Sequence, residues 1–272
     1  KKFYLKGSDF MYDEYLNFAI DIAKYAKIVM LKYFDSENGA SYKEDNTIVT
    51  KADTEINHYL IKMVKEKYPN HSVDGEEEKM GKSNYTWVCD PVDGTAMYAR
   101  GIPVSVFSLA LVYDGSPVLG VIYDPFTDNL YTATKGNGAY KNNKKIEVNK
   151  NNIDDNRCFC NFDVWPTAEY NIFDVVKELG KKVWFVDLGS VIRASLCVAS
   201  GEFCFSIFPG TINKNCDIAA VKVIVEEAGG KVTDLFGEEQ NYEEDINGAI
   251  ISNGVTHDIV VETINKYLSN KK

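Results

Sequence analysis

Short apolar runs alternate with helix-like segments through the second half of the chain, and this alternation constrains the fold more than any other feature. Four runs are strand candidates: residues 157–162, 183–186, 203–208 and 249–251. Four segments have the apolar spacing or the boundary residues of helices: residues 167–179, 190–200, 217–228 and 257–268. Such alternation is typical of layered α/β proteins, in which helices cover the faces of a sheet.

The first half combines two helix candidates with a strand-rich middle. Residues 12–34 and 50–68 each carry apolar side chains along one helical face. Further along, residues 104–113 and 118–123 flank Asp114-Gly115, a dipeptide typical of tight turns. We therefore predict a β-hairpin across this dipeptide.

The polar segment 149–156 is the best candidate for a linker. We therefore expect a mixed α/β protein in two domains, an N-terminal α+β half over residues 1–150 and a C-terminal α/β half over residues 151–272. With 272 residues, of which 45% are hydrophobic, the chain is long enough to bury a sizeable core.

The charge balance and the cysteines narrow the range of partners and compartments. Thirty Lys and Arg residues against forty Asp and Glu residues give a net charge of −10. This disfavours a nucleic-acid polymer as partner, because proteins that bind such polymers carry a basic face.

No apolar run approaches the roughly 18 residues of a membrane helix, so no membrane association is expected. The six cysteines form no CxxC pair, and we interpret them as reduced core residues of a cytoplasmic protein.

Two carboxylates follow one another closely at the end of an apolar run. Residues 85–89 lead directly into Asp90-Pro91-Val92-Asp93-Gly94-Thr95. Because proline cannot donate to a sheet, we expect the strand to end at Pro91 and to expose Asp90 and Asp93 at its carboxyl end. Neighbouring carboxylates repel each other unless a cation or proton lies between them, and such oxygen ligands favour Mg²⁺. Taken alone, Asp-Pro and Asp-Gly are also ordinary turn dipeptides.

Three other acidic elements have ordinary structural explanations when each is considered alone. Asp74-Gly75-Glu76-Glu77-Glu78 has the composition of a solvated charge run. Asp217 stands at a helix start, where a carboxylate caps free N–H groups. Thr50-Lys51-Ala52-Asp53 fits a capping box, in which two side chains satisfy the first N–H groups of a helix.

Taken together, these elements resemble the inositol monophosphatase family, the Mg²⁺-dependent, lithium-sensitive phosphatases. The matching segments are residues 49–53, 75–77, 90–95, 189–190, 217–220 and 227–230, in that order. The resemblance covers most of the chain, from about residue 12 to the final helix candidate. It implies a layered αβαβα sandwich of the inositol monophosphatase/fructose-1,6-bisphosphatase type, with a metal site at the junction of the halves.

The resemblance also implies a set of metal ligands. Glu76 matches the glutamate that binds the first metal, and Asp90 matches the aspartate that bridges two metals. The carbonyl of Val92 matches a backbone ligand, while Asp93 and Asp217 match the ligands of the second metal. The cofactor implied is Mg²⁺, two or three ions per site, with Mn²⁺ as a possible substitute. Most of these ligands fall in the N-terminal half, and Asp217 falls in the C-terminal half.

The catalytic and substrate-binding residues are implied in the same way. Asp53 and Thr95 match the pair that orients and deprotonates the attacking water, and Glu77 matches a further carboxylate near the metals. The N–H groups of Gly94 and Thr95, beside Asp93, match the phosphate site. Gly189-Ser190 matches a turn that contacts the substrate.

The chain departs from the family close to the substrate. Cys216 stands where the family usually has tryptophan, and residues 207–214 contain no acid where inositol-binding members carry a glutamate. We expect residues 208–214 to line the substrate pocket, with Asn213 and Lys214 favouring a substrate of additional negative charge. The expected activity is hydrolysis of a small phosphorylated metabolite. The ester itself stays open between an inositol monophosphate, a 3′(2′),5′-bisphosphate nucleotide, fructose 1,6-bisphosphate and histidinol phosphate.

Two alternatives and one assembly state complete these expectations. A non-catalytic relative that only binds metal or phosphate is the rival from another class, and the intact Asp53 and Thr95 argue against it. The family also implies a homodimer, and we expect the apolar strands between residues 104 and 123 to offer β surface that a second copy would cover.

Overall fold

The computed structural model describes residues 7–34, 39–42, 48–155, 157–165, 168–210 and 215–268, with side chains from residue 12 onward. Its helices are α1 (Gly7–Phe34), α2 (Lys51–Lys67), α3 (Thr95–Tyr98), α4 (Phe173–Leu179), α5 (Val191–Ala199), α6 (Asn215–Glu227) and α7 (His257–Leu268). Its strands are β1 (Ser41–Tyr42), β2 (Ile48–Val49), β3 (Ser72–Gly75), β4 (Lys79–Met80), β5 (Tyr85–Asp93), β6 (Val106–Tyr113), β7 (Ser116–Asp124), β8 (Asn129–Thr134), β9 (Ala139–Lys141), β10 (Lys144–Lys145), β11 (Phe159–Phe162), β12 (Trp184–Val186), β13 (Phe205–Phe208), β14 (Lys231–Thr233) and β15 (Ala249–Ser252).

An eight-stranded sheet in the order β10-β9-β8-β7-β6-β5-β3-β4 forms the first β layer. Alternate residues of β6 belong to two apolar clusters. Phe107 and Leu109 pack with α1 and α2 on one face, whereas Ala110 and Val112 pack with α5 and α6 on the other. Because successive side chains of a strand point to opposite faces, this near-continuous apolar run is explained by burial on both sides.

A five-stranded sheet in the order β12-β11-β13-β15-β14 forms the second β layer. Strand β11 runs parallel to β12 and β13, and the pairs β13–β15 and β14–β15 are antiparallel. Helices α5 and α6 lie between the two sheets, and α4 and α7 pack on the outer face of the second one. The resulting order of layers is αβαβα, which confirms the predicted fold class.

The predicted hairpin across Asp114-Gly115 is present. Tyr113 pairs with Ser116, and the two central residues of the turn have φ angles of 47° and 74°. Two positive φ angles give a turn whose twist matches the flanking strands. The hairpin is not an exposed surface, however. Helices cover both faces of β6 and β7, so the reason given above for expecting a second copy at residues 104–123 is wrong.

Strand β5 does not end at Pro91 as predicted, but continues to Asp93. Asp90 pairs with Ser108 and Asp93 pairs with Val106, so Pro91 and Val92 lie opposite a single residue of β6. A bulge of this kind leaves a residue out of the hydrogen-bonded ladder, which is how the strand accommodates a proline.

Helix α4 is shorter than its sequence pattern predicts. It begins at Phe173, whereas the pattern begins at residue 167, which lies outside the described residues. The N–H groups of Glu169 and Tyr170 donate to the carbonyls of Gly210 and Pro209, at 2.8 and 3.2 Å. These tertiary hydrogen bonds hold the segment before Phe173 in a non-helical conformation against a neighbouring loop.

Two further expectations concern cysteines and membranes. All six cysteines are free thiols, five of them buried, in agreement with their interpretation as reduced core residues. No helix in the described ranges combines the length and the apolar character needed to cross a membrane.

The eight-stranded sheet comes from residues before 150 and the five-stranded sheet from residues after it. The division into two domains stays a prediction.

Candidate active site

The bulge at the end of β5 positions the two aspartates of the central motif. Asp90 is 2% exposed, and its Oδ1 accepts the N–H of Val92 at 2.9 Å. Thr95 begins the short helix α3, and its hydroxyl donates to the carbonyl of Val92 at 2.8 Å. A carbonyl oxygen has two lone pairs, so this one retains acceptor capacity for a cation.

Gly94 links the strand to the helix in a conformation that favours glycine. Its φ angle is 77°, and a Cβ at this position would lie 2.9 Å from the carbonyl oxygen of Gly189. Any larger residue would push apart the two chain segments that meet here. The absence of a side chain therefore brings Gly94 and Thr95 against the Gly189-Ser190 turn.

Asp93 binds the start of α5 from the other side of this junction. Its Oδ2 accepts the hydroxyl of Ser190 and, at 3.0 Å, the N–H of Ile192. Ser190 also caps α5, since its oxygen accepts the N–H of Arg193 at 3.1 Å. These bonds favour a charged carboxylate. Burial outweighs them, however, and together with the nearby charge of Asp217 it raises the pKa of Asp93 to about 7.

The first turn of α6 contributes the third aspartate. Asp90, Cys216 and Asp217 are all buried, and one potential ligand atom of each lies within 4.8 Å of the others. The thiol of Cys216 donates to Oδ1 of Asp217 at 3.5 Å. Oxygen donors dominate this group once Asp93 is included, and such a donor set suits a hard divalent cation such as Mg²⁺. The residues present therefore fit the metal that the sequence implies.

Glu76 reaches the same place from β3. Because β3 runs parallel to β5 with Gly75 opposite Cys89, the residue after Gly75 lies beside the central motif. The N–H of Glu76 donates to the carbonyl of Cys89 at 3.1 Å. Glu77 follows it and is half-buried.

Asp53 lies in the first turn of α2 and is fully buried. Its Oδ2 accepts the N–H of Thr50 at 2.8 Å, which is a capping-box bond. The hydroxyl of Thr50 donates to the same oxygen at 2.5 Å. Its Oδ1 has no hydrogen-bond partner within the described part of the chain. Burial, followed by the charges of Glu76 and Glu77, raises the pKa of Asp53 to about 7. The side chain that the sequence assigns to water activation thus has a buried, unpaired oxygen and a pKa near neutrality.

A cavity of about 750 Å³ opens above these groups. The predicted site residues in its lining are Glu76, Asp93, Gly94, Thr95, Gly189, Ser190 and Asp217. Four predicted residues do not line it: Asp53, Glu77, Asp90 and Val92. Of these, Asp90, Val92 and Asp53 are buried. The structure therefore brings the predicted residues of both halves to one cavity or to its immediate surroundings.

The cavity lining also holds residues that the sequence analysis missed. Asp163, Trp165 and Asp187 line it, together with Arg100 near α3. Asp163 directly follows β11 as Asp187 follows β12, and a carboxylate directly after a strand candidate was the signal that could have found both. Of the segment 208–214, Phe208 lines the cavity, whereas residues 211–214 lie outside the described residues.

A layered αβαβα fold with buried carboxylates between its two sheets defines a class of phosphoric monoester hydrolases, and the chain is a member of that class. The model of the inositol monophosphatase family matches residues 11–269, so the chain belongs to that family.

Individual relatives agree with this assignment. A "Fructose-1,6-bisphosphatase/inositol-1-monophosphatase" of Thermotoga maritima is 31% identical over 255 residues, which is 92% of this chain and 96% of the relative. The solved structure of a Thermotoga maritima IMPase superposes with a TM-score of 0.83 at 28% identity, covering 95% of this chain and 100% of the other. An "IMPase/NADP phosphatase complexed with Mg2+ and phosphate" superposes with a TM-score of 0.73 at 28% identity, covering 83% and 85%.

Proposed function

We propose that the protein hydrolyses a phosphate monoester of a small metabolite in a reaction that depends on Mg²⁺, with water as the attacking group. One observation carries the proposal. The carboxylates of Asp90 and Asp217 converge from two different layers of the fold, and burial together with the nearby charge of Asp217 raises the pKa of Asp93 to about 7. A divalent cation would relieve the repulsion between such groups.

The residues that would hold the metal are those that the family resemblance names. Glu76, Asp90, Asp93 and Asp217 would supply carboxylate oxygens, and Val92 would supply its carbonyl. When bound, Mg²⁺ would neutralise the phosphate, lower the pKa of a water molecule and stabilise the leaving alkoxide. Two or three ions per site, and Mn²⁺ as a substitute, remain part of this proposal.

Asp53 would accept the proton of the attacking water. A general base works best when its pKa is near the operating pH, and the pKa of Asp53 is about 7. Its Oδ1 is unpartnered among the described residues, so it can accept a hydrogen bond from water. No direct hydrogen bond joins Asp53 to Thr95 within the described chain, since the hydroxyl of Thr95 donates to Val92. The two side chains would therefore act together only through the attacking water.

The remaining residues would hold the ester in place. The N–H groups of Gly94 and Thr95 would bind phosphate oxygens. Ser190 and Ile192 fix the carboxylate of Asp93 by hydrogen bonds. Glu77 would contribute negative charge near Asp53. Positioning and charge stabilisation of this kind supply most of the catalysis in phosphoryl transfer.

The described lining of the cavity contains neither a histidine nor a cysteine that could form a covalent phosphoenzyme. The hydroxyl groups of Thr95 and Ser190 in the lining already donate hydrogen bonds, to Val92 and Asp93. Direct attack by water is the mechanism that these residues support.

Fructose 1,6-bisphosphate is a second candidate substrate. The name of the Thermotoga maritima relative couples fructose-1,6-bisphosphatase with inositol-1-monophosphatase activity. A cavity of about 750 Å³ also lies within the size range of pockets that take molecules larger than a hexose bisphosphate. Both activities would use the same carboxylates.

The test is a panel of phosphate esters incubated with the purified protein and Mg²⁺, with release of inorganic phosphate as the readout. The panel would contain inositol 1-phosphate, fructose 1,6-bisphosphate, a 3′,5′-bisphosphate nucleotide and histidinol phosphate. Asp90→Asn, purified in parallel, controls for a contaminating phosphatase. Release from at least one ester by the wild type alone is expected. If no ester of the panel is hydrolysed at saturating Mg²⁺, the proposal is rejected and the chain is a non-catalytic relative.

A further inference from the structure

Asp163 is a buried carboxylate that the proposed mechanism does not use. It directly follows β11, and its N–H donates to the carbonyl of Ile207 in the parallel strand β13 at 3.1 Å. This bond fixes Asp163 at the carboxyl end of the second sheet, beside the place where β13 leads towards α6. The side chain is 4% exposed and lines the same cavity as Asp93 and Asp217.

The protein satisfies the carboxylate of Asp163 only in part, through a hydrogen bond with the side chain of Asn161. Within the described residues its Oδ2 is buried and has no hydrogen-bond partner. Such groups are rare because a buried polar atom without a partner is costly, and each instance calls for an explanation. Burial, followed by the nearby charge of Asp187, raises the pKa of Asp163 well above its ordinary range. A carboxyl group in this state can donate a hydrogen bond as well as accept one.

The position of Asp163 in the cavity indicates which part of a substrate it would meet. The proposed phosphate site lies at Gly94 and Thr95, after β5 of the first sheet, whereas Asp163 comes from the second sheet, near enough to Asp93 and Asp217 for their charges to raise its pKa. In its ionised form the Asp163 carboxylate would repel phosphate oxygens, whereas in either form it can accept a hydrogen bond from a hydroxyl group. Close to Asp163, the rings of Trp165 and Phe208 lie 5.6 Å apart and line the same cavity. An apolar wall beside a hydrogen-bonding carboxyl group suits an alcohol that carries both C–H faces and hydroxyl groups.

We propose that Asp163 binds a hydroxyl group of the leaving alcohol and so selects polyol phosphates over phosphate esters that lack hydroxyls. The inference rests on the proposed phosphatase activity and adds a specificity-determining residue to it. It assigns to Asp163, directly after β11, the hydrogen bond to substrate that residues 207–214 cannot make, because they contain no acid. An ester without hydroxyls would leave the Asp163 carboxyl group unpaired, and sites built around such bonds discriminate against analogues that lack the partner.

The experiment compares two esters that share a six-membered ring. Inositol 1-phosphate carries hydroxyls on that ring, and cyclohexyl phosphate carries none. For Asp163→Ala, we expect kcat/KM for inositol 1-phosphate to fall by about 10- to 100-fold, the effect of losing a hydrogen bond to an ionisable group. For cyclohexyl phosphate, kcat/KM should hold or rise, since no such bond is made and the variant leaves no carboxyl group unpaired. Glu169→Gln, an exposed carboxylate a few residues along, is the matched control and should leave both values unchanged.

Three outcomes would overturn the inference. If Asp163→Ala lowers kcat/KM equally for both esters, the role of Asp163 is structural. If kcat/KM stays at the wild-type value for both esters, Asp163 has no role in specificity. A higher Mg²⁺ concentration for half-maximal rate would make Asp163 a metal ligand. Asp163→Leu keeps a similar shape without a hydrogen-bonding atom, so it replaces the alanine variant if that variant fails to fold by circular dichroism. Wild-type hydrolysis of cyclohexyl phosphate in Mg²⁺ upholds the proposed function independently. If the wild type cleaves neither ester, nor any other in the panel, the proposed function fails and this inference fails with it.

Discussion

Replacing Asp93 by asparagine should stabilise the metal-free protein at neutral and alkaline pH. In the folded chain Asp93 is buried beside Asp217, and its pKa is about 7, against 3.8 for an unperturbed aspartate. Asparagine keeps a similar shape and does not ionise. Its amide oxygen can still accept the N–H of Ile192 or the hydroxyl of Ser190.

The sign and size of the effect follow from proton binding. Between pH 4 and pH 7 the unfolded chain has lost the proton of Asp93, whereas the folded chain still holds it. The free energy of unfolding therefore falls as the pH rises through this window, by about 1.4 kcal/mol per pH unit. Over the two units from pH 5 to pH 7 the wild type loses about 3 kcal/mol at this site, and the asparagine variant loses none of it. The pKa of Asp53 is also raised to about 7. Asp53 changes the free energy of unfolding equally in both proteins, so its contribution cancels from the difference between them.

The assay is urea unfolding in EDTA at pH 5 and pH 8, followed by circular dichroism. The free energy of unfolding of Asp93→Asn, relative to wild type, should rise by about 3 kcal/mol between the two pH values. Asp174→Asn, which removes an exposed carboxylate from α4, should show little change. Saturating Mg²⁺ at pH 8 should favour the wild type, because the variant lacks a ligand. A difference between variant and wild type that does not depend on pH would refute the account of repulsion at this site.

Three further predictions concern the metal centre and the assembly. Asp90→Asn should keep the circular dichroism spectrum of the wild type, bind the metal more than about tenfold more weakly, and therefore lose phosphate release. Near-wild-type turnover at saturating Mg²⁺ would contradict the assignment of Asp90 as a metal ligand. Ca²⁺ should compete with Mg²⁺ without supporting hydrolysis, because it prefers longer bonds and looser geometry, and Li⁺ should inhibit as the family implies; full activity in Ca²⁺ alone would contradict this geometry. Light scattering at micromolar concentration should give the mass of a homodimer, in keeping with the exposed Trp184 and Phe185 of edge strand β12; a monomeric mass would reject it.

The sequence was sufficient for features that neighbouring residues determine. The hairpin at Asp114-Gly115 depends on two turn residues, and the closing helix α7 matches its predicted bounds, residues 257–268. The layered fold and the set of carboxylates came from short motifs that each lie within one chain segment. Their convergence on one cavity was implied by resemblance to a family and not by spacing alone.

Features that depend on distant partners could not be predicted in this way. Strand β5 passes Pro91 because the register with β6 shifts there, and no local pattern encodes that shift. Helix α4 begins late because a loop elsewhere in the chain accepts the hydrogen bonds of the preceding segment. Asp163 resembles a turn residue in the sequence, and only the parallel pairing of β11 with β13 places it in the cavity.

One measurement tests the central claim most directly, namely that the converging carboxylates form a Mg²⁺-dependent centre for ester hydrolysis. Wild type and Asp217→Asn would be stripped of metal with EDTA, and phosphate release from the best ester of the panel would be followed as Mg²⁺ is added back. We expect the stripped wild type to be inactive and to recover fully with Mg²⁺, while Asp217→Asn stays inactive at every concentration. Hydrolysis by the wild type in EDTA, or recovery of Asp217→Asn to the wild-type rate, would contradict the account.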